Sequence, residues 1–140
     1  MALLTLNELC PGRAQAIIGG GGEVVMALEI PRGRRVRAVR EAIDIVKGAT
    51  TRRPFSYHGE MYRINDYDPQ WITAAQPPAV FAAANRPQML RMSARAADGI
   101  MMSDLSPALS RAAVGAVHGH LREFGRDPSA FQFNNFMAWY

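Results

Sequence analysis

The chain has 140 residues, 49% of them apolar, enough for one folded domain with its own core, and this excludes a disordered class. Its single cysteine, Cys10, excludes an internal disulfide and fits a reducing, cytoplasmic setting. Sixteen Lys and Arg against twelve Asp and Glu leave +4, a mild excess that suits anionic small molecules as readily as nucleic acid.

No apolar run is long enough to predict a membrane span. The start, Met1 to Leu6, lacks the basic lead of a signal peptide. Thr5 to Arg13 reads as a helix end and a turn, because Pro11-Gly12 is a strong turn pair. Ala14 to Ile18 predicts a short strand that runs into Gly19-Gly20-Gly21-Gly22. These glycines lack the Lys-Ser/Thr ending of a nucleoside-triphosphate loop. Asp44 lies at about the distance a dinucleotide fingerprint wants, but inside a predicted helix rather than at a strand end. Two readings stay open for the glycines: a flexible loop, or a place where backbone approaches a cofactor.

Arg34 to Lys47 gives the clearest helix, with Val36, Val39, Ile43 and Val46 on one face. Arg37 with Glu41, and Arg40 with Asp44, have the spacing of pairs across one turn, and Gly48 is a natural stop. Arg32, Arg34, Arg35, Arg37 and Arg40 form a basic cluster without an aromatic platform, which favours a solvated face over a nucleic-acid site. Phe55 to Ile64 predicts a hairpin around His58-Gly59-Glu60, with His58 solvated at its tip. Asp66 to Gln76 is a linker that Trp71 anchors by burying its ring.

Ala79 to Ala84 is a short apolar run opened by two prolines, read as a strand. Asn85-Arg86-Pro87 signals a helix start, with Asn85 as cap, and Leu90, Ala94 and Ala97 follow at helical spacing. Asp98-Gly99 stops the helix, and Ile100-Met101-Met102 is a second strand, completing a βαβ unit with parallel, buried strands. Ser106-Pro107 starts a last helix with Leu109, Ala113, Val117, Leu121 and Phe124 as its core face. His118 and His120 are two apart, which rules out a helical metal pair and leaves both exposed. Phe131 to Tyr140 is the final strand.

Three segments carry a resemblance. They are Ala83-Ala84-Asn85-Arg86-Pro87-Gln88-Met89-Leu90 with Ala96-Ala97-Asp98-Gly99-Ile100, the Leu6-x-Glu8-Leu9-x-x-Gly12-Arg13 pattern, and the Tyr57-x-Gly59-x-x-Tyr62 hairpin. Together they resemble the luciferase-like flavin- or deazaflavin-dependent oxidoreductases, of the bacterial luciferase and methylenetetrahydromethanopterin reductase type. Arg86 and Glu29 stand where that family commonly has Gly, and the segment Glu23 to Pro31 is a shortened version of a family linker.

The resemblance implies a single α/β domain over 1–140: a partial TIM barrel of about four parallel strands alternating with helices, plus an inserted β-hairpin. It implies hydride transfer or monooxygenation on a small organic substrate, with FMN or an F420-type deazaflavin as cofactor. It places the cofactor at Gly19, Gly20, Ala83, Ala84, Asn85, Arg86, Met102 and Ser103, and names no catalytic residue and no metal. A four-strand piece has two open sheet edges, so a homo-oligomer or completion by a missing segment is expected. The alternative is a non-catalytic flavin-binding or oligomerising remnant. Neither a nucleic-acid nor a membrane partner is expected.

Overall fold

A computed structural model describes residues 2–22, 27 and 33–137. In chain order the elements are α1 (Ala2–Leu9), β1 (Gln15–Ile18), α2 (Arg35–Ala49), β2 (Phe55–His58), β3 (Arg63–Tyr67), β4 (Ala79–Ala83), α3 (Pro87–Ala96), β5 (Gly99–Ser103), α4 (Pro107–Glu123), a 3-10 turn (Pro128–Ala130) and β6 (Gln132–Phe136). The segment Glu23 to Pro31 (Ala27 apart), Arg32, and the last residues of the expected strand Phe131 to Tyr140 lie outside the described residues.

Four strands form one parallel sheet in the order β1-β4-β5-β6. β2 and β3 form a separate antiparallel hairpin between α2 and β4. Ile17, Phe81, Gly99 and Gln132 stand in register across the sheet. Side chains alternate between faces, and the two faces differ in kind. On one, Val80 and Ala82 of β4 pack with Val39 and Ile43 of α2 and Met92 of α3. On the same face Ile100 and Met102 of β5 pack with Leu90 and Ala94 of α3 and Val117 and Leu121 of α4. The opposite face leaves Ile17 (51%) and Phe136 (62%) exposed. Phe81, in register with Ile17 on that face, is fully buried, so the face is partly covered, as in a barrel wall without its remaining strands.

The Ala-Asp-Gly segment locks the bottom of this wall. Asp98 accepts from the Val80 amide at 2.9 Å and from Lys47 Nζ at 2.6 Å, joining β4, α2 and the α3–β5 turn. Lys47 and Arg126 also donate to the last carbonyls of α3, at Ala96, Ala94 and Ala97. Gly99 is required because the Phe81 ring lies against it: an added Cβ would sit 2.4 Å from Phe81 Cε1 and 2.6 Å from the Gln132 carbonyl oxygen.

Several local expectations are corrected. Glu41 does not pair with Arg37 on the helix surface. It is wholly buried, and its carboxylate accepts from the backbone N–H groups of Glu60, Met61 and Tyr62, at 3.0, 2.9 and 3.2 Å. Arg37 and Arg34 pair instead with Glu60, while Arg40 pairs with Asp44 as expected. Thus Glu41 pins the hairpin turn to α2. α2 also runs through Gly48 to Ala49, and the Phe55 ring occupies the space a Gly48 side chain would need.

Trp71 is 41% exposed; Ile72, at 3%, anchors the linker in its place. The Glu8 carboxylate reinforces that anchor by accepting from the Thr73 hydroxyl and from the amides of Thr73 and Ala74. Leu109 is 58% exposed, because the core face of α4 narrows to Ala113, Val117 and Leu121 near its start. Ser106 caps α4 as expected, accepting from the Leu109 amide. His58 lies within β2 and bonds Asn65, while His118 and His120 are half-buried rather than exposed. His118 stands edge-on to Phe133.

Candidate functional site

All four parallel strands point their C-terminal ends the same way, so their following loops meet at one mouth. β1 ends in the glycine run, β4 in Ala83-Ala84 and β5 in Ser103. Gly19, Gly20, Gly21 and Gly22, with Ala83, Ala84, Asn85, Arg86, Met89, Met101, Ser103 and Arg35, line a cleft of about 410 Å³ there. Gly20 earns its place by close approach: the Arg35 side chain lies over it, and a Cβ would stand 2.4 Å from Arg35 Cδ.

The rim is built by one residue doing a backbone's work. The Asn85 side chain donates to the Ser103 carbonyl at 3.0 Å and accepts from the Ser103 amide at 3.1 Å. Asn85 therefore extends the β4–β5 ladder beyond the last backbone pair. It is not the helix cap that its sequence position suggests. Arg86 occupies the N-cap, in extended conformation and with no side-chain hydrogen bond to the first turn. Pro87 has no N–H to satisfy. No side-chain cap covers the amides of the first turn of α3, which point toward the cleft end of the sheet and carry partial positive charge.

Seven of the eight expected cofactor residues line this cleft: Gly19, Gly20, Ala83, Ala84, Asn85, Arg86 and Ser103. Met102 does not. It is 3% exposed and packs into the α3–α4 core, while its neighbour Met101 faces the cleft. Strand alternation decides this: Met101 and Ser103 share one face, and Met102 the other. Arg35 and Met89 are cleft residues that the sequence reading missed. Arg35 lay inside the basic cluster, and only the approach of β1 to α2 brings it to the glycines.

Small residues, uncapped amide donors and two arginines give the cleft groups of the kind that suit an anion. The Arg35 side chain fills the space over Gly20, while the small side chains of Ala83 and Ala84 leave the opposite side of the cleft open to a ligand. Among the described residues no cluster of His, Cys, Asp and Glu could hold a metal ion. No helix among them is long and apolar enough to cross a membrane.

Residues 1–136 match the family model described as luciferase-like monooxygenase. The chain is 27% identical over 131 residues to the 5,10-methylenetetrahydromethanopterin reductase of Archaeoglobus fulgidus, which covers 93% of this chain and 39% of that one. It is 32% identical over 105 residues to the F420-dependent glucose-6-phosphate dehydrogenase of Kineococcus radiotolerans, covering 70% of this chain and 30% of that one. Among solved structures, an F420-dependent secondary alcohol dehydrogenase in complex with an F420-acetone adduct superposes with a TM-score of 0.80 at 19% identity, covering 95% of this chain and 42% of that one. The chain thus spans about two fifths of the length of two of these relatives and less of the third.

Proposed function

This chain belongs to the luciferase-like monooxygenase family, and from that premise we propose that it forms the phosphate-holding part of a flavin or deazaflavin seat in an oxidoreductase acting on a small organic substrate. The observation that carries this reading is the cleft itself, which gathers Arg86, Arg35, the glycine run and the uncapped start of α3 at the C-terminal ends of parallel strands. Two of the relatives above are F420-dependent by name, which supports a deazaflavin, with FMN as the alternative. When bound, such a cofactor supplies the hydride or activates oxygen; the protein binds and orients it.

In this proposal Arg86 holds the phosphate with its forked donors, beside the free amides of the first turn of α3. Gly19, Gly20, Ala83 and Ala84 let backbone approach the ligand, and Met101 and Ser103 form the wall toward β5. Asn85 keeps that wall at a fixed distance. The exposed face bearing Ile17 and Phe136 supports completion of the barrel, by a second copy or by further strands. The single cysteine, which forms no internal disulfide, supports a reducing, cytoplasmic setting in this proposal.

The test is titration of the purified chain with FMN, a deazaflavin coenzyme and riboflavin, followed by absorbance. Binding of the phosphorylated forms is expected, and Arg86→Glu should weaken it sharply while changing riboflavin little. Equal loss for all three, or no binding by the unaltered chain, would remove the reading.

A further inference from the structure

The exposed large apolar side chains of the parallel sheet sit on its two outermost strands. Ile17 belongs to β1 and Phe136 to β6, and both are more than half exposed on the face opposite the helices, while Phe81 between them is fully buried. Among the described residues neither strand has a neighbour on its outer side. Nor is either edge blunted. β1 is Gln15-Ala16-Ile17-Ile18 and β6 is Gln132-Phe133-Asn134-Asn135-Phe136, with no charge and no proline in either. Edges that must stay single carry such devices. The unmet surface is therefore a pair of seams at the sheet margins rather than the whole of one face.

The two seams match each other. All four strands are parallel, so a half-turn about the barrel axis sets β6 of one copy beside β1 of another, running the same way, at both margins at once. Four strands are half of the eight that close a barrel of this kind, so such head-to-tail pairing closes after two copies instead of growing into a fibre. Closure also fixes the register. The sheet runs straight across from Ile17 to Gln132. A shear of about eight residues round the barrel leaves about four to be taken up at each of two seams. Four residues on from Gln132 is Phe136, which then stands opposite Ile17 of the other copy. The opposite offset would set Ile17 against Pro128, before β6 begins. The two exposed side chains thus meet, inside a barrel whose eight strands leave just room for side chains.

We propose that two copies of this chain close into one eight-stranded barrel through two β6–β1 seams, each with Ile17 of one copy against Phe136 of the other. This rests on the completion of the barrel proposed above and commits it to a second copy; it does not rest on the cofactor. The seam also reaches the site. The glycine run follows Ile18 directly, so the end of β6 in one copy comes beside the cleft of the other. Each cleft gains from the other copy a wall on the side where β1 is the last strand.

The test is disulfide trapping in a Cys10→Ser background. Ile17→Cys and Phe136→Cys are made in separate chains, at positions exposed enough to accept the change. Within one chain the two positions lie three strand spacings apart across the sheet, roughly 14 Å, too far to bridge. Mixed and oxidised together, the two variants should yield a covalent heterodimer, while each variant alone stays largely uncrosslinked. Light scattering on the unaltered chain should read twice its 15.4 kDa mass. Homodimers of either variant in preference to the heterodimer would overturn the proposal in favour of two sheets stacked face to face. A monodisperse monomer, or a mass that keeps growing with concentration, would overturn it as well. A trapped heterodimer that binds no flavin would remove the cofactor reading and keep the seam. Flavin binding by a chain that traps no heterodimer would do the reverse.

Discussion

The side chain of Asn85 hydrogen-bonds both backbone polar groups of Ser103, giving at 3.0 Å and taking at 3.1 Å. A two-way bond of this kind fixes the spacing between the end of β4 and the end of β5, and hence the width of the cleft. Asn is suited to it because one amide carries both a donor and an acceptor. Asn85→Asp keeps the acceptor and loses the donor, setting a carboxylate oxygen against the Ser103 carbonyl. Stability should fall by about 1 kcal/mol, read as a lower urea midpoint. Flavin-phosphate affinity should fall further than this loss alone accounts for. A variant with wild-type midpoint and affinity would show that the bridge sets nothing.

Glu41 makes the acid stability of the fold pH-dependent. Burial pushes its carboxyl up, yet the amides of Met61, Glu60 and Tyr62, with Arg40 nearby, outweigh burial and hold it below 4.5. A carboxyl lowered in the folded state stabilises above its unfolded pKa, and the gain is lost as pH falls through the folded value. Glu41→Gln should lower the melting temperature near neutral pH. Its acid limb below about pH 4.5 should also be shallower than that of the unaltered chain. Parallel acid limbs for the two proteins would contradict the assignment.

Gly99 should resist any side chain. The Phe81 ring and the Gln132 carbonyl occupy the space a Cβ would need, and neither yields easily: Phe81 is fully buried and Gln132 is paired in β6. Gly99→Ala should cost about 1–3 kcal/mol by overpacking, measured by chemical unfolding. Pairing it with Phe81→Leu should recover part of the loss, because the smaller side chain vacates the contested space. A tolerated single substitution would mean that the ring moves freely.

The sheet face carrying Ile17 and Phe136 should drive self-association. Both side chains are more than half exposed, on a face where Phe81 between them is buried. Light scattering on dilute protein should report a mass above that of the 15.4 kDa chain. Changing Ile17 and Phe136 together to Lys should return a monomer, since charge on that face cannot be buried unpaired. A compact, monodisperse monomer from the unaltered chain would show that the face is satisfied in another way.

Periodicity and punctuation in the sequence determined the order of strands and helices, because those signals are local. Val39 and Ile43, Leu90 and Ala94, and Val117 and Leu121 repeat at helical spacing, and the structure buries each of these pairs. Pro87, Pro107 and the Asp98-Gly99 pair mark element ends through backbone chemistry alone. The positions of the glycine run and of Ala83 to Arg86 followed from resemblance, and the parallel sheet brings the two stretches to one cleft.

Only the tertiary structure decided where polar side chains spend their hydrogen bonds. Arg37 and Glu41 have the spacing of a surface pair, but the hairpin offers three free amides to Glu41 and a carboxylate to Arg37 from Glu60. Asn85 has the position of a cap, but Ser103, 18 residues later, offers a donor and an acceptor together. Such competition between a local partner and a distant one is settled by which groups the fold brings within about 3 Å, and spacing along the chain does not contain that distance. For the same reason Arg35 is read from the sequence as one of a basic cluster, and from the structure as the side chain that lies over Gly20 in the cleft.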